Sequence, residues 1–307
     1  MMEVLKTVDN RLVQLEAPED GAWIHLNKPS QKEIASVSEL LDVEKDFLTA
    51  ALDEEETSRI DTENGQTLII IDIPYVNDND GLIIYETLPL AVILTEKNII
   101  TVCLKENTIT NDLAESKIKN VHTEMKTRFL LQLLYRVATR YLLYLRQIDR
   151  RSAAVEKELH KSMKNKELIQ LLDLEKSLVF FSTSLKANEA TLEKVLRGRF
   201  VKLYEDDKEL LEDVLIEIKQ AIEMSNIYSN ILSGTMDAFA SIISNNLNIV
   251  MKVLTSITIV MAIPTMISGF YGMNVVGIPM PSFWPVCGIT VLITGGATLF
   301  LYLKKLL

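Results

Sequence analysis

The side chains that could do chemistry in this chain are hydroxyls and amides spaced along one stretch. Taken at alternating steps of three and four residues, Ser241, Ser244, Asn248, Met251, Thr255, Thr258, Ala262, Thr265 and Gly269 fall on one face of a helix. Most are small, and most carry an oxygen. The remaining faces carry Val253, Ile257, Ile259, Val260, Met261, Ile263 and Ile267. Polar side chains in so apolar a stretch must face protein or water. By spacing alone the stripe fits a tight seam between helices or the wall of a pore built from several copies. Asp237 continues the stripe, and a packing seam gains nothing from a charge there. That favours the pore.

Conventional catalytic chemistry is missing, and the chain reads as no enzyme. His25, His122 and His160 are isolated, with no second ligand at metal-binding spacing, and read as structural or surface residues. No phosphate-binding Gly-Lys loop, nucleophile elbow or His-Glu-x-x-His pair occurs. The two cysteines, Cys103 and Cys287, lie in a predicted strand and an apolar segment and are not expected to pair, which suits a reducing compartment.

The elements that must hold the stripe follow from the distribution of charge. From Val253 to Leu303 there is no Asp, Glu, Lys or Arg, whereas residues 1–248 hold 29 basic and 42 acidic residues. So acidic a body repels nucleic acid and suits a cation. Two apolar segments, Val253–Tyr271 and Phe283–Leu303, are each about long enough to cross a bilayer, and GMNVVGIPMPS joins them. Together they predict a transmembrane hairpin. Lys252, Lys304 and Lys305 flank it on one side and the connecting loop is uncharged, so both termini are expected in the cytoplasm. MMEVLKTVDN lacks the pattern of a signal peptide. The expected location is the inner or plasma membrane.

Residues 1–110 read as a cytoplasmic α/β domain, with TLIIIDIPYV, GLIIYETLPLAVIL and NIITVCL as strands and EKDFLTAALDEEE as a short helix. Residues 111–205 read as a helical pair. Thr123–His160 carries Phe129, Leu133, Leu134, Val137, Tyr141 and Leu145 as its apolar face, and Lys166–Arg197 is capped by Asn165 and Gly198. Residues 206–271 form a stalk that continues into the first span, with Glu209 in the capping-box position. Such a helix is about 98 Å long at 1.5 Å per residue. One chain cannot bury it, which argues for a bundle of copies. A loop over 272–282 and a second span with a basic end over 283–307 complete the chain.

At the outer end of the first span stands Tyr271-Gly272-Met273-Asn274, followed by Pro279 and Pro281. With the preceding NIVMKVLTSITIVMAIPTMISGF, this resembles the CorA family of magnesium transporters, whose signature is an aromatic residue and Gly-Met-Asn closing the first of two C-terminal spans. The resemblance is close from Asp206 onward and covers the α/β body in layout. It implies a homopentamer with a funnel of long helices, the first spans lining one central pore and the second spans outside. It implies passage of Mg²⁺, with Co²⁺ and Ni²⁺ as co-substrates, and no cofactor beyond Mg²⁺ acting as substrate and regulatory ligand. Carried over by position, Gly272, Met273 and Asn274 form the selectivity filter. Asn248, Met251, Leu254 and Thr255 line the cytoplasmic half of the pore, with Met251 and Leu254 as its hydrophobic constriction. Asp213 and Asp237 fall where the family has regulatory metal sites. Their partners lie in the α/β domain, where Asp61 and Glu63 are the candidates. The chain departs from many members in one respect, since no acidic residue follows Gly-Met-Asn in its outer loop. Two alternatives remain: a zinc transporter of the same superfamily, and a membrane-anchored sensor or scaffold, for which a face of threonines has no use.

Overall fold

The computed structural model describes residues 1–9, 11–79, 82–115, 121–162, 165–197, 200–274, 277, 279 and 282–306. The chain divides into two compact units, Met1–Gly234 and Thr235–Leu307.

The first unit is built on a seven-stranded sheet in the order β2-β1-β3-β7-β6-β5-β4. Its strands are β1 (Met2–Val8), β2 (Arg11–Gln14), β3 (Trp23–Asn27), β4 (Arg59–Glu63), β5 (Gln66–Asn79), β6 (Leu82–Leu94) and β7 (Ile99–Cys103). Only β3 and β7 pair in parallel, with Ile24 opposite Ile100. Both are buried at every position, because helices cover both faces of the sheet. Helices α1 (Gln31–Leu41) and α2 (Lys45–Ala50) bring Ile34, Val37, Phe47 and Leu48 onto Ile24, Leu26, Leu68, Ile70, Ile93, Ile100 and Val102.

The opposite face receives α3 (Thr108–Ala114), α4 (Lys126–Ser162) and α5 (Asn165–Leu196). All six residues expected on the apolar face of α4 are buried. Phe129 packs on Trp23 at 4.9 Å between ring centroids, and Tyr141 meets Phe181 of α5 edge-on at 5.0 Å. Asn188 of α5 fastens the sheet to this layer. Its Oδ1 accepts from Asp72 N (2.8 Å) and Ser58 Oγ (2.6 Å), and its Nδ2 donates to Asp72 O (2.8 Å).

Two helix starts differ from expectation. α4 begins at Lys126 because Thr123 is engaged elsewhere: its N–H donates to Thr7 Oγ1 (3.2 Å), and its own Oγ1 accepts from Thr7 N (3.0 Å). The long helix α6 (Glu205–Tyr271) is closed at its start by Asp207, not Glu209. Asp207 Oδ2 accepts from Tyr204 N at 3.3 Å, and Tyr204 O accepts from the N–H groups of Asp207 and Lys208. The expected cap at Gly198 lies outside the described residues.

The buried His25 on β3 is expected to make this domain sensitive to acid. His25 Nε2 lies 3.0 Å from Asn27 Nδ2, which can only donate, so the neutral ring carries its proton on Nδ1 and donates to Thr101 Oγ1 at 3.1 Å. Burial lowers the His25 pKa from 6.5 to about 4, against a smaller upward pull from Asn111. The unfolded chain therefore takes up a proton at a higher pH than the fold does. The stability this contributes is complete above pH 6.5 and is lost as pH falls toward about 4. A shift of this size corresponds to roughly 3 kcal/mol. Urea unfolding of the full-length protein in mild detergent, followed by Trp23 fluorescence in a Trp284→Phe background, is expected to show this loss. His25→Gln is expected to lack that part of the slope.

Candidate conduction path and metal sites

The second unit contains the C-terminal part of α6, from Thr235, and α7 (Phe283–Leu303). Both helices are long and apolar enough to cross a membrane, and their most apolar stretches face outward almost entirely. In α6, Gly234 and Pro264 are tolerated inside a continuous helix.

The two helices meet along one line of each. On α6 from Val253 onward the least exposed positions are Ser256, Val260, Ile263, Pro264, Ile267 and Tyr271; on α7 they include Val286, Thr290, Thr294, Ala297 and Leu301. Ser256 Oγ donates to Leu306 O at 2.8 Å, tying the base of the hairpin. Of the apolar residues expected to face lipid or the second span, Val260, Ile263 and Ile267 are half-buried, while Val253, Ile257, Ile259 and Met261 are exposed.

The oxygen-bearing stripe lies apart from this line. Asn248, Met251, Thr255, Thr258, Ala262, Thr265 and Gly269 are all exposed, as is Leu254 beside them. Within one chain the stripe is therefore no packing seam for α7. Thr258 Oγ1 donates to Leu254 O (2.8 Å) and Thr265 Oγ1 to Met261 O (3.2 Å). With its proton committed to its own helix, each hydroxyl can present only lone pairs outward. Water molecules around a cation point their hydrogens outward, so such a surface matches a hydrated cation.

At the upper end, Gly272 N–H donates to Ser268 O at 2.9 Å. A Cβ on Gly272 would sit 3.2 Å from that same carbonyl, so a residue without a side chain suits the final turn. Met273 and Asn274 follow, both exposed. The Tyr271 hydroxyl donates to Pro279 O at 3.1 Å and holds the loop to the end of α6. Tyr271 had no expected role beyond its place in the motif, and the offset of eight residues to a proline was the available signal.

The acidic candidates are dispersed. Asp213 is exposed in the first unit and Asp237 is exposed in the second. Asp61 on β4 accepts from Arg59 Nε at 2.6 Å, and Arg59 also pairs with Glu56. Glu63 is exposed, beside the Asn64-Gly65 turn. Among the described residues of one chain, no three His, Cys, Asp or Glu side chains converge as a metal cage.

The cobalt/magnesium transport protein CorA of Methanocaldococcus jannaschii is 27% identical over 279 residues, covering 88% of this chain and 86% of that protein. The complete structure of the CorA magnesium transporter from the same organism superposes with a TM-score of 0.83 at 22% identity, over 99% of this chain and 97% of that one. The cytoplasmic domain of ZntB from Vibrio parahaemolyticus superposes with a TM-score of 0.60 at 14% identity, over 80% of this chain and 97% of that domain. Both superpositions speak for the fold alone. The sequence pattern described as CorA-like Mg²⁺ transporter protein matches residues 18–305. The chain therefore belongs to the CorA family.

Proposed function

We propose that this chain is one subunit of a homopentameric channel that carries Mg²⁺ into the cytoplasm, with Co²⁺ and Ni²⁺ as further substrates. The observation that carries the reading is the exposed stripe from Asn248 to Gly269: the chain leaves an oxygen-bearing face free at membrane depth while α7 packs elsewhere on α6. Lipid cannot solvate that face, but copies of itself around a water-filled axis can. In this arrangement α6 lines the pore and α7 stands outside it. Asn274 with Gly272 and Met273 forms the outer filter, and Met251 and Leu254 form a dry constriction on the cytoplasmic side. Thr255, Thr258, Ala262, Thr265 and Gly269 line the wall between.

Mg²⁺ demands octahedral oxygen coordination and sheds water reluctantly. A ring of neutral amide oxygens can accept hydrogen bonds from its water shell without stripping it. Binding then stays weak enough for release, as conduction requires. A membrane potential negative inside drives entry at about 2.3 kcal/mol per charge per 100 mV. The termini lie in the cytoplasm, as Lys252, Lys304 and Lys305 suggest.

Two measurements test this. Native mass spectrometry in mild detergent is expected to show a pentamer; a stable monomer or dimer would defeat the assembly. Purified protein in liposomes under a potential is expected to pass Mg²⁺, Co²⁺ and Ni²⁺. Flux of Zn²⁺ alone would replace the assignment with a zinc transporter.

A further inference from the structure

At membrane depth α6 has one position where it cannot satisfy its own backbone. Pro264 has no N–H, so the Val260 carbonyl lacks its donor four residues on. A helical carbonyl points along the axis toward that fourth residue, so the free oxygen faces Pro264. Helix α7 carries the complementary defect. Thr290 Oγ1 donates to Val286 O and Thr298 Oγ1 to Thr294 O, both at 2.8 Å. Thr294 lies between them on the same face, yet its Oγ1 is buried with no partner. Pro264 and Thr294 line one cavity of about 690 Å³ within this unit, widely open to the outside and mostly apolar, with Thr290, Val291, Thr298 and Leu299.

The Pro264 side of α6, toward which that carbonyl points, and the unpartnered Thr294 hydroxyl therefore border the same space, in surroundings where each group is costly unless satisfied. Proline in membrane helices is tolerated where a neighbouring hydroxyl or an ordered water supplies the missing hydrogen bond. We propose that Thr294 is a positioning residue: its hydroxyl donates to one water held in this cavity, and that water donates to the Val260 carbonyl. The cavity has room for the water, and a water accepts one bond while donating another. The link cross-ties the two spans at the only proline in α6, on the face away from the stripe. It fixes the course of the last turns of α6, and through them the placement of Gly272-Met273-Asn274. In its consequence for flux this inference rests on the channel reading; the link itself does not.

The test uses full-length protein in nanodiscs for thermal unfolding and in liposomes for Mg²⁺ flux. Thr294→Val removes the hydroxyl and keeps the shape, Thr294→Ser keeps the hydroxyl, and Pro264→Ala returns an N–H to α6. Thr294→Val is expected to lower flux by about fivefold, the scale of one hydrogen bond, and to lower the unfolding midpoint. It is expected to leave the ratio of Co²⁺ to Mg²⁺ flux unchanged. Thr294→Ser is expected to behave as wild type. In the Pro264→Ala background, Thr294→Val is expected to change neither reading. An equal effect in both backgrounds overturns the link, as does Thr294→Ser behaving like Thr294→Val. Should Pro264→Ala fail to assemble, Pro264→Gly also restores the N–H and serves in its place. Absence of flux in every form would defeat the channel reading, while the unfolding midpoints would still decide on the link.

Discussion

Asn274→Ala is expected to reduce Mg²⁺ flux by about a hundredfold or more while leaving assembly and unfolding temperature unchanged. The side chain is exposed at the end of α6, so its removal opens no cavity in the fold. Its effect belongs to the ring that the subunits would form. Each amide oxygen would accept one hydrogen bond from the ion's water shell, at a net of about 0.5–1 kcal/mol. Truncation in five copies at once removes a few kcal/mol, and every 1.4 kcal/mol is a factor of ten. Asn274→Asp is a sharper probe, since a ring of carboxylates would hold the ion longer and lower the maximal rate at saturating Mg²⁺. Wild-type flux in Asn274→Ala, measured in liposomes on protein shown to be assembled, would remove this residue from the filter.

The second large effect concerns feedback. Asp213 and Asp237 are exposed on α6, and one chain supplies neither with a metal cage of its own. In a ring of subunits, such carboxylates would recur with every copy and repel one another. Bound Mg²⁺ would neutralise them and favour a symmetric closed bundle, with Met251 and Leu254 forming a dewetted gate. When internal Mg²⁺ falls, the sites would empty and the gate would wet. A ligand shifts such an equilibrium only by its preference for one state, so several weak sites must act together. The double variant Asp213→Asn with Asp237→Asn is therefore expected to raise the internal Mg²⁺ that half-inhibits the current by at least about tenfold, with ion selectivity unchanged. Superimposable inhibition curves for wild type and variant would dismiss these carboxylates as the sensor. Asp61 is the less favourable partner, since Arg59 already occupies it and would have to be displaced.

Much of the fold could be read in the sequence, for identifiable physical reasons. The spans stand out because a bilayer forbids charge, and Val253–Leu303 has none. Helix α4 stands out because Phe129, Leu133, Leu134, Val137, Tyr141 and Leu145 repeat without interruption. Helix α1 escaped notice although Ser30 and Glu33 form a full capping box, because only Ile34 and Val37 are buried and the periodicity is faint. Strands β1 and β2 are partly exposed and carry Lys6 and Arg11, so the alternation of an edge strand is blurred. The stripe on α6 was legible by spacing, but its separation from the face that meets α7 needed coordinates. Partners for Asp213 and Asp237 were not legible because local sequence carries no record of which distant side chains a fold or an assembly brings near.

The back-bonded threonines have a consequence for the sign of the permeating charge. Between Leu254 and Thr265 no Asp or Glu is present, so attraction by fixed negative charge cannot be what admits a cation there. What this face of α6 does carry is an asymmetry of hydrogen bonding, because Thr258 and Thr265 have spent their donors inward. Chloride needs donors to replace the water it sheds, and these hydroxyls have none to give. Anions would thus be refused by a neutral surface, through the direction in which its hydroxyl groups are turned.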